Sequence, residues 1–154
     1  FKDKAHTFEL VCPPSLCLVG KRSEIYSAIS NLLINAAKYT AAGGQIKLSA
    51  NEGKNSLDIA VTDNGIGIEN HHIPRLTERF YRIDGNRSSD TGGTGLGLAI
   101  VKHILARHEA ELEINSALGE GSSFICRLPL SRAASNSIID KRSLISTDKE
   151  TEHV

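Results

Sequence analysis

Two asparagines, a lysine and a tyrosine stand at Asn31, Asn35, Lys38 and Tyr39, in a stretch whose apolar residues recur at helical spacing. Positions i, i+4, i+7 and i+8 share one face of a helix. Such a face offers amide oxygens that can ligate a metal, an ammonium that seeks phosphate, and a ring that can pack on a base. A solvated polar stripe is the ordinary explanation. Asparagine is a poor helix former, however, and two of them inside one helix weigh against it. Further along, Asp63-Asn-Gly65-Ile-Gly67 follows an alternating strand pattern. A carboxylate there can accept from an exocyclic amine, and the glycines let a ligand approach the backbone. Alone, this stretch also reads as an Asp-Asn-Gly turn. Gly93-Thr94-Gly95-Leu96-Gly97-Leu98 then runs into a second helix, whose opening N–H groups suit a phosphate. It is neither a dinucleotide fingerprint nor a Walker loop, and a glycine hinge for the preceding loop is a compatible reading. Among Arg79, Arg82 and Arg87, Arg82 is read as the cation that stabilises charge during phosphoryl transfer, and the other two as solvated. Phe80 and Tyr81 read as packing anchors for that loop.

The elements that must hold these residues follow from the apolar periodicity. Thr7 to Val11 reads as a strand stopped by Pro13-Pro14. Ser23 opens a helix that packs through Tyr26, Ile29, Leu32, Leu33 and Ala36 and ends before Gly43-Gly44. Gln45–Ala50 and Leu57–Thr62 alternate, and form a hairpin turned at Glu52-Gly53-Lys54-Asn55. A short helical piece near Ile73–Phe80 precedes a long polar loop, a length that usually signals function or mobility. Leu96, Ile100, Val101, Ile104 and Leu105 mark the second helix, and Glu111–Asn115 and Ser123–Leu128 a closing hairpin around Gly119-Glu120-Gly121. From Ser131 to Val154 there is no aromatic residue, and the composition predicts a disordered tail.

The chain has 154 residues, enough for one domain with a core, and a formal net charge of +0, which argues against binding nucleic acid by phosphate neutralisation. Nothing resembles a signal peptide, and no apolar run approaches the roughly 20 residues that span a bilayer. The chain starts at Phe1 and reads as a piece of a longer protein. Its cysteines, Cys12, Cys17 and Cys126, suit reduced thiols in a cytoplasmic domain. None of the six histidines shows a metal-ligand arrangement, and none is given a chemical role.

In their order, these stretches resemble the catalytic ATP-binding domain of bacterial sensor histidine kinases. Asn31 to Thr40 resembles the N box, Asp63 to Gly67 the G1 box, Arg79-Phe80-Tyr81-Arg82 the F box, Gly93 to Leu98 the G2 box, and Gly119 to Phe124 the G3 region. The resemblance covers about residues 1–130 and leaves 131–154 as the tail. It implies an α/β fold: the two-layer Bergerat sandwich shared with gyrase, Hsp90 and MutL ATPases, a mixed sheet under helices with a mobile ATP lid at about 81–94. It implies ATP and Mg²⁺ as ligands. Asn35 would ligate the metal with Asn31 beside it, Lys38 and Arg82 would meet phosphates, and Tyr39 and Asp63 would meet the adenine. Gly65, Gly67, Phe80, Gly93, Thr94, Gly95, Leu96, Gly97 and Leu98 complete the nucleotide residues, and Lys102 would help order lid or phosphates. The catalytic residues would be Arg82, Lys38 and Asn31.

The implied partners are the kinase's own dimerisation domain, which carries the phosphoacceptor histidine, and a response regulator. No histidine here has the acidic and arginine neighbours of a phosphoacceptor, and His6 precedes a strand. The fragment is therefore expected to be monomeric, to make no membrane contact itself, and to belong to the cytoplasmic side of an inner-membrane sensor. Two alternatives are a hydrolytic ATPase of the gyrase type and a non-catalytic ATP-sensing module. The ATPases place a glutamate where Asn31 stands, and an amide cannot serve as a general base near neutral pH. A pure sensor would not need the phosphate clamp of Asn35, Lys38 and Arg82.

Overall fold

In the computed structural model, residues 5–83 and 95–135 are described. Strand β1 (Thr7–Val11) and the short β2 (Leu16–Leu18) precede helix α1 (Arg22–Tyr39). Strands β3 (Gln45–Glu52) and β4 (Ser56–Asp63) follow, then a 3₁₀ turn over Asn70–Arg75, helix α2 (Gly97–Arg107), and strands β5 (Glu111–Ala117), β6 (Gly121–Pro129) and β7 (Ala133–Ser135). The main sheet runs β1-β3-β4-β6-β5. β1 lies parallel to β3, and the other neighbours are antiparallel, giving the expected mixed sheet.

Alternation decides which face of the sheet is covered. Leu57, Ile59 and Val61 of β4 are buried, and they stand opposite Leu128, Cys126 and Phe124 of β6, also buried. Residues between them point away from the core, as period-2 side-chain geometry requires. On that outer face, Arg127 donates to Asp58 at 2.8 Å and through Nε to Glu113 at 2.9 Å. The helices cover the inner face. α1 buries Ala28, Leu32 and Ala36, spaced i, i+4, i+8, while α2 buries Val101, Ile104 and Leu105. The alanines leave room for α1 to approach close-packed neighbours. Tyr26, expected in this stripe, is 75% exposed, and Ile100 is largely outside the core. The physical reason for Tyr26 is angular: it stands about 200° around the helix from Ala28.

The expected tail boundary also shifts. Residues Leu130–Arg132 form a 3₁₀ turn, and β7 pairs antiparallel with β2, Leu16 opposite Ser135 and Leu18 opposite Ala133. The fold therefore runs to Ser135. β2, emerging from the Pro13-Pro14 turn, needs backbone partners, and β7 supplies them; the Val19 N–H donates to Arg132 O at 2.6 Å and Arg132 Nη1 to Val19 O at 3.1 Å. The rest of the predicted tail, 136–154, lies outside the described residues.

His108 ties the two helices together. Its ring is 3% exposed, at the C-terminal end of α2. Nδ1 lies 2.8 Å from Ile104 O, an acceptor only, so Nδ1 carries the proton and donates. Nε2 accepts from the Lys21 N–H, the residue that precedes α1, at 3.0 Å. The side chain thus satisfies a backbone group at the end of one helix and at the start of the other. His108→Ala would leave a cavity and the Lys21 N–H without this acceptor. The expected cost is roughly 3 kcal/mol, read as a fall of roughly 10 °C in melting temperature by circular dichroism.

Candidate functional site

One cavity of about 590 Å³ opens between α1, the loop after β4, the segment leading to residue 83 and the start of α2. That size is within the range of small-molecule sites. Asn31, Asn35, Lys38 and Tyr39 all line it, so the polar face of α1 is the wall of a cavity and not a solvated stripe. Ile34 joins that wall from the same helix.

Asn31 is oriented by its own helix. Its Nδ2 donates to Ser27 O, one turn back, at 2.8 Å. The amide oxygen is left facing the start of α2, where a Cβ on Gly97 would stand 3.1 Å from it. The residue presents lone pairs and no donor in that direction, which explains how the helix tolerates an asparagine at this position.

Asp63 closes β4 and is only 7% exposed. Its Oδ1 accepts the Gly65 N–H at 2.8 Å. The Ser122 backbone and the Thr40 side chain lie beside the carboxyl group. Burial raises its pKa above the usual carboxylate value, and the hydrogen bonds from Gly65, Ser122 and Thr40 offset part of that rise. The loop beyond Asp63 is packed against the end of α1. The Ile66 N–H donates to Tyr39 O at 3.2 Å, and a Cβ on Gly65 would stand 2.3 Å from that same oxygen, so only glycine fits. The β5–β6 turn holds the loop from the other side, Gly119 N–H donating to Ile66 O at 2.8 Å. Ser116 completes the support. Its hydroxyl accepts the Ile68 N–H at 2.7 Å and donates to Gly121 O at 2.9 Å, with the Ser122 hydroxyl 2.8 Å away.

Gly95, Gly97 and Leu98 bring the start of α2 into the lining, together with Gly67 from the loop and Tyr81, Arg82 and Ile83 from the segment before the predicted lid. Among the described residues no side chain caps the N-terminus of α2, and first-turn N–H groups of this kind suit an anion. Leu96, expected among the ligand residues, is the residue before this helix and is not in the lining. Phe80 is 68% exposed and also outside the lining. It has φ +64°, its N–H donates to Gly95 O at 2.9 Å, and Gly95 at φ +76° passes so close that a Cβ would stand 2.7 Å from the Phe80 backbone. Phe80 therefore contributes its backbone to this junction. Lys102 is exposed and also outside the lining. Gly93, Thr94 and Arg87, with most of the predicted lid, lie outside the described residues.

Sequence reasoning missed Glu69 and His72, which line the cavity, and Ser116, which stands behind it. A serine in a strand carries no distinguishing signal, and His71-His72 looked like an ordinary polar loop. Among the described residues no group of three or more His, Cys, Asp or Glu side chains could hold a metal ion. A hard cation takes oxygen ligands, and the Asn35 amide is among the groups that line the cavity.

Comparison with known proteins follows the same pattern. The family described as histidine kinase-, DNA gyrase B-, and HSP90-like ATPase matches residues 20–132. A phosphate regulon sensor protein, PhoR of Pseudomonas aeruginosa, is 49% identical over 129 residues, covering 84% of this chain and 29% of its own length. The sensor histidine kinase RppB of Synechocystis is 44% identical over 111 residues, covering 72% of this chain and 24% of its own. The chain thus spans less than a third of these relatives. Among solved structures, the mycobacterial sensor histidine kinase MprB superposes with a TM-score of 0.73 at 30% identity, covering 83% of this chain and 86% of that one. The full-length ShkA structure in complex with AMPPNP shares the fold, with a TM-score of 0.73 at 24% identity over 87% of this chain and 27% of that one.

The raised Asp63 pKa has a consequence for stability. The folded chain holds the proton more tightly than the unfolded one, so this contribution is fully present below the ordinary value of 3.8 and is lost as pH rises through the folded value. At neutral pH the ionised carboxylate subtracts from stability. Asp63→Asn keeps an oxygen for the Gly65 N–H and removes the buried charge. Thermal melts of the ligand-free chain should show the variant more stable at pH 7, with the advantage shrinking toward pH 3.

Proposed function

Because the chain belongs to the histidine kinase-, DNA gyrase B-, and HSP90-like ATPase family, we propose that it is the ATP-binding catalytic part of a sensor histidine kinase of the phosphate-regulon type. It transfers the γ-phosphoryl group of ATP to a histidine on the kinase's dimerisation domain, for relay to an aspartate of a response regulator. The observation that carries this reading is the convergence of the polar face of α1, the buried Asp63 and the open start of α2 on one cavity that Arg82 also lines. Identity of 49% to a named phosphate regulon sensor supports the type. No helix among the described residues is long and apolar enough to cross a membrane, and we place this domain on the cytoplasmic side of a membrane-anchored sensor.

Each group has a role set by its chemistry. Asp63 accepts from the adenine amine; its other engagement, with the Gly65 N–H, holds the carboxylate in place. An asparagine there puts an NH2 donor where the second carboxylate oxygen stands, and that group cannot accept from the amine. Tyr39 and the apolar Ile66 and Leu118 border the base. Backbone N–H groups at the start of α2, with Lys38 and Arg82, meet the phosphates. Asn35 offers its amide oxygen to Mg²⁺, which when bound neutralises phosphate charge. The incoming imidazole nitrogen forms a bond to the γ-phosphorus as the bond to the β–γ bridging oxygen breaks, and ADP carries away the electron pair. Arg82 and Lys38 stabilise the charge that develops, so the protein's part is placement and electrostatics. Asn31 offers no base to activate water, since its Nδ2 is committed to Ser27 O and its oxygen takes no proton near neutral pH.

The decisive experiment mixes this chain with γ-labelled Mg²⁺-ATP and separately made dimerisation helices of a related kinase. Acid-labile label on the helices' histidine is the expected result; ATP binding without label would favour a sensing module. Asn35→Ala should abolish the Mg²⁺-dependent part of ATP affinity with the fold retained, checked by titration with and without the metal. Asn31→Glu should raise phosphate release from ATP above the wild-type background in a steady-state assay, and an unchanged background would contradict the role given to Asn31.

A further inference from the structure

The segment between β4 and α2 carries a cluster that the nucleotide roles above leave unused. Leu76 is buried and ties the segment to the core. Beyond it the Phe80 ring faces solvent, on a backbone in the left-handed region, which is costly for a bulky residue. Tyr81 turns the opposite way. Its hydroxyl is hydrogen-bonded to His72 Nδ1, and the two rings lie 5.9 Å apart. The Arg75 guanidinium sits 4.5 Å from the centre of the Tyr81 ring, and Arg75 Nε donates to Glu78 at 3.3 Å. The His71 ring lies 4.0 Å from that of His72. His72, Tyr81 and Arg82 all line the cavity, and Arg82 is the next residue along the chain.

We propose that His72 and Tyr81 are positioning residues for Arg82. The bond between the Tyr81 hydroxyl and His72 fixes the backbone from which Arg82 departs, and so aims the guanidinium at the terminal phosphate of the bound nucleotide. This inference rests on the ATP reading given above. An arginine side chain has ample rotamer freedom of its own, and holding it on one phosphate is effective only when its backbone is already in place. The Phe80–Gly95 backbone bond fixes the junction on its α2 side. The Tyr81–His72 bond fixes it at the cavity wall, where the direction of Arg82 is decided.

The test compares two nucleotides that differ only by the group Arg82 is assigned to hold. Mg²⁺-ATP and Mg²⁺-ADP are titrated calorimetrically into the chain, and the ratio of their affinities is read. Arg82→Ala sets the floor of that ratio. Tyr81→Phe keeps the ring and its contact with Arg75 but deletes the hydroxyl. It should lower the ratio about fivefold, the worth of one hydrogen bond, with ADP affinity unchanged. His72→Ala should do the same. His72→Asn, whose amide oxygen reaches the place of Nδ1, should restore the ratio, and thermal melts should find all three variants folded. An unchanged ratio in Tyr81→Phe, an equal loss for both nucleotides, or a His72→Asn chain as low as His72→Ala would each overturn the positioning role while the ATP reading stands. Failure of the unsubstituted chain to bind either nucleotide would overturn the ATP reading, and this inference with it.

Discussion

Asp63 is a carboxylate at the end of a central strand, 7% exposed, and most of the site is arranged around keeping it there. Burial penalises its charged form, so the fold must supply donors. The Gly65 N–H of its own loop bonds it, and the Ser122 backbone of β6 and the Thr40 side chain just past α1 stand beside it. These groups stay in register because Gly119 and Ser116 hold the loop against the β5–β6 turn, and because Gly65 fits against the last carbonyl of α1. Burial of the ionised group therefore costs the folded chain stability at neutral pH.

Helix α1 has to satisfy two demands on one cylinder. Ala28, Leu32 and Ala36 bury one stripe in the core, while Asn31, Asn35 and Lys38 turn another into the cavity. Any rotation that improved one stripe would spoil the other, so the orientation of the helix is narrowly set. Part of that setting comes from far along the chain. His108 at the end of α2 accepts from the backbone just before α1, and Arg107 pairs with Glu24 at 2.8 Å. The exposed ion pair adds little by itself; the buried histidine, bonded at both ring nitrogens, is the stronger tie.

The segment preceding the predicted lid is held differently. It has one buried apolar residue, Leu76, and otherwise depends on directional contacts: the Phe80–Gly95 backbone bond and the Tyr81, His72 and Arg75 cluster. Few buried apolar contacts describe a region of low local stability.

Much of this was legible in the residues. The hairpins, the two helices and the α1 face of Asn31, Asn35, Lys38 and Tyr39 follow from periodicity, because side-chain direction repeats every 3.6 residues in a helix and every two in a strand. The glycine-flanked Asp63 and the glycines before α2 were visible because few other residue types tolerate such backbone approach. What only the tertiary structure decided is which of these residues meet. Tyr26 and Ile100 belong to apolar patterns yet face solvent, and Phe80 sits in a motif yet turns away from the cavity. The pairing of β7 with β2 joins residues more than a hundred positions apart. Ser116, His72 and His108 carry no local signal, because their work is done through hydrogen bonds to backbone or side chains that the chain brings near only when folded. Periodicity reports the direction of a side chain from its own element, and long-range packing determines what lies in that direction.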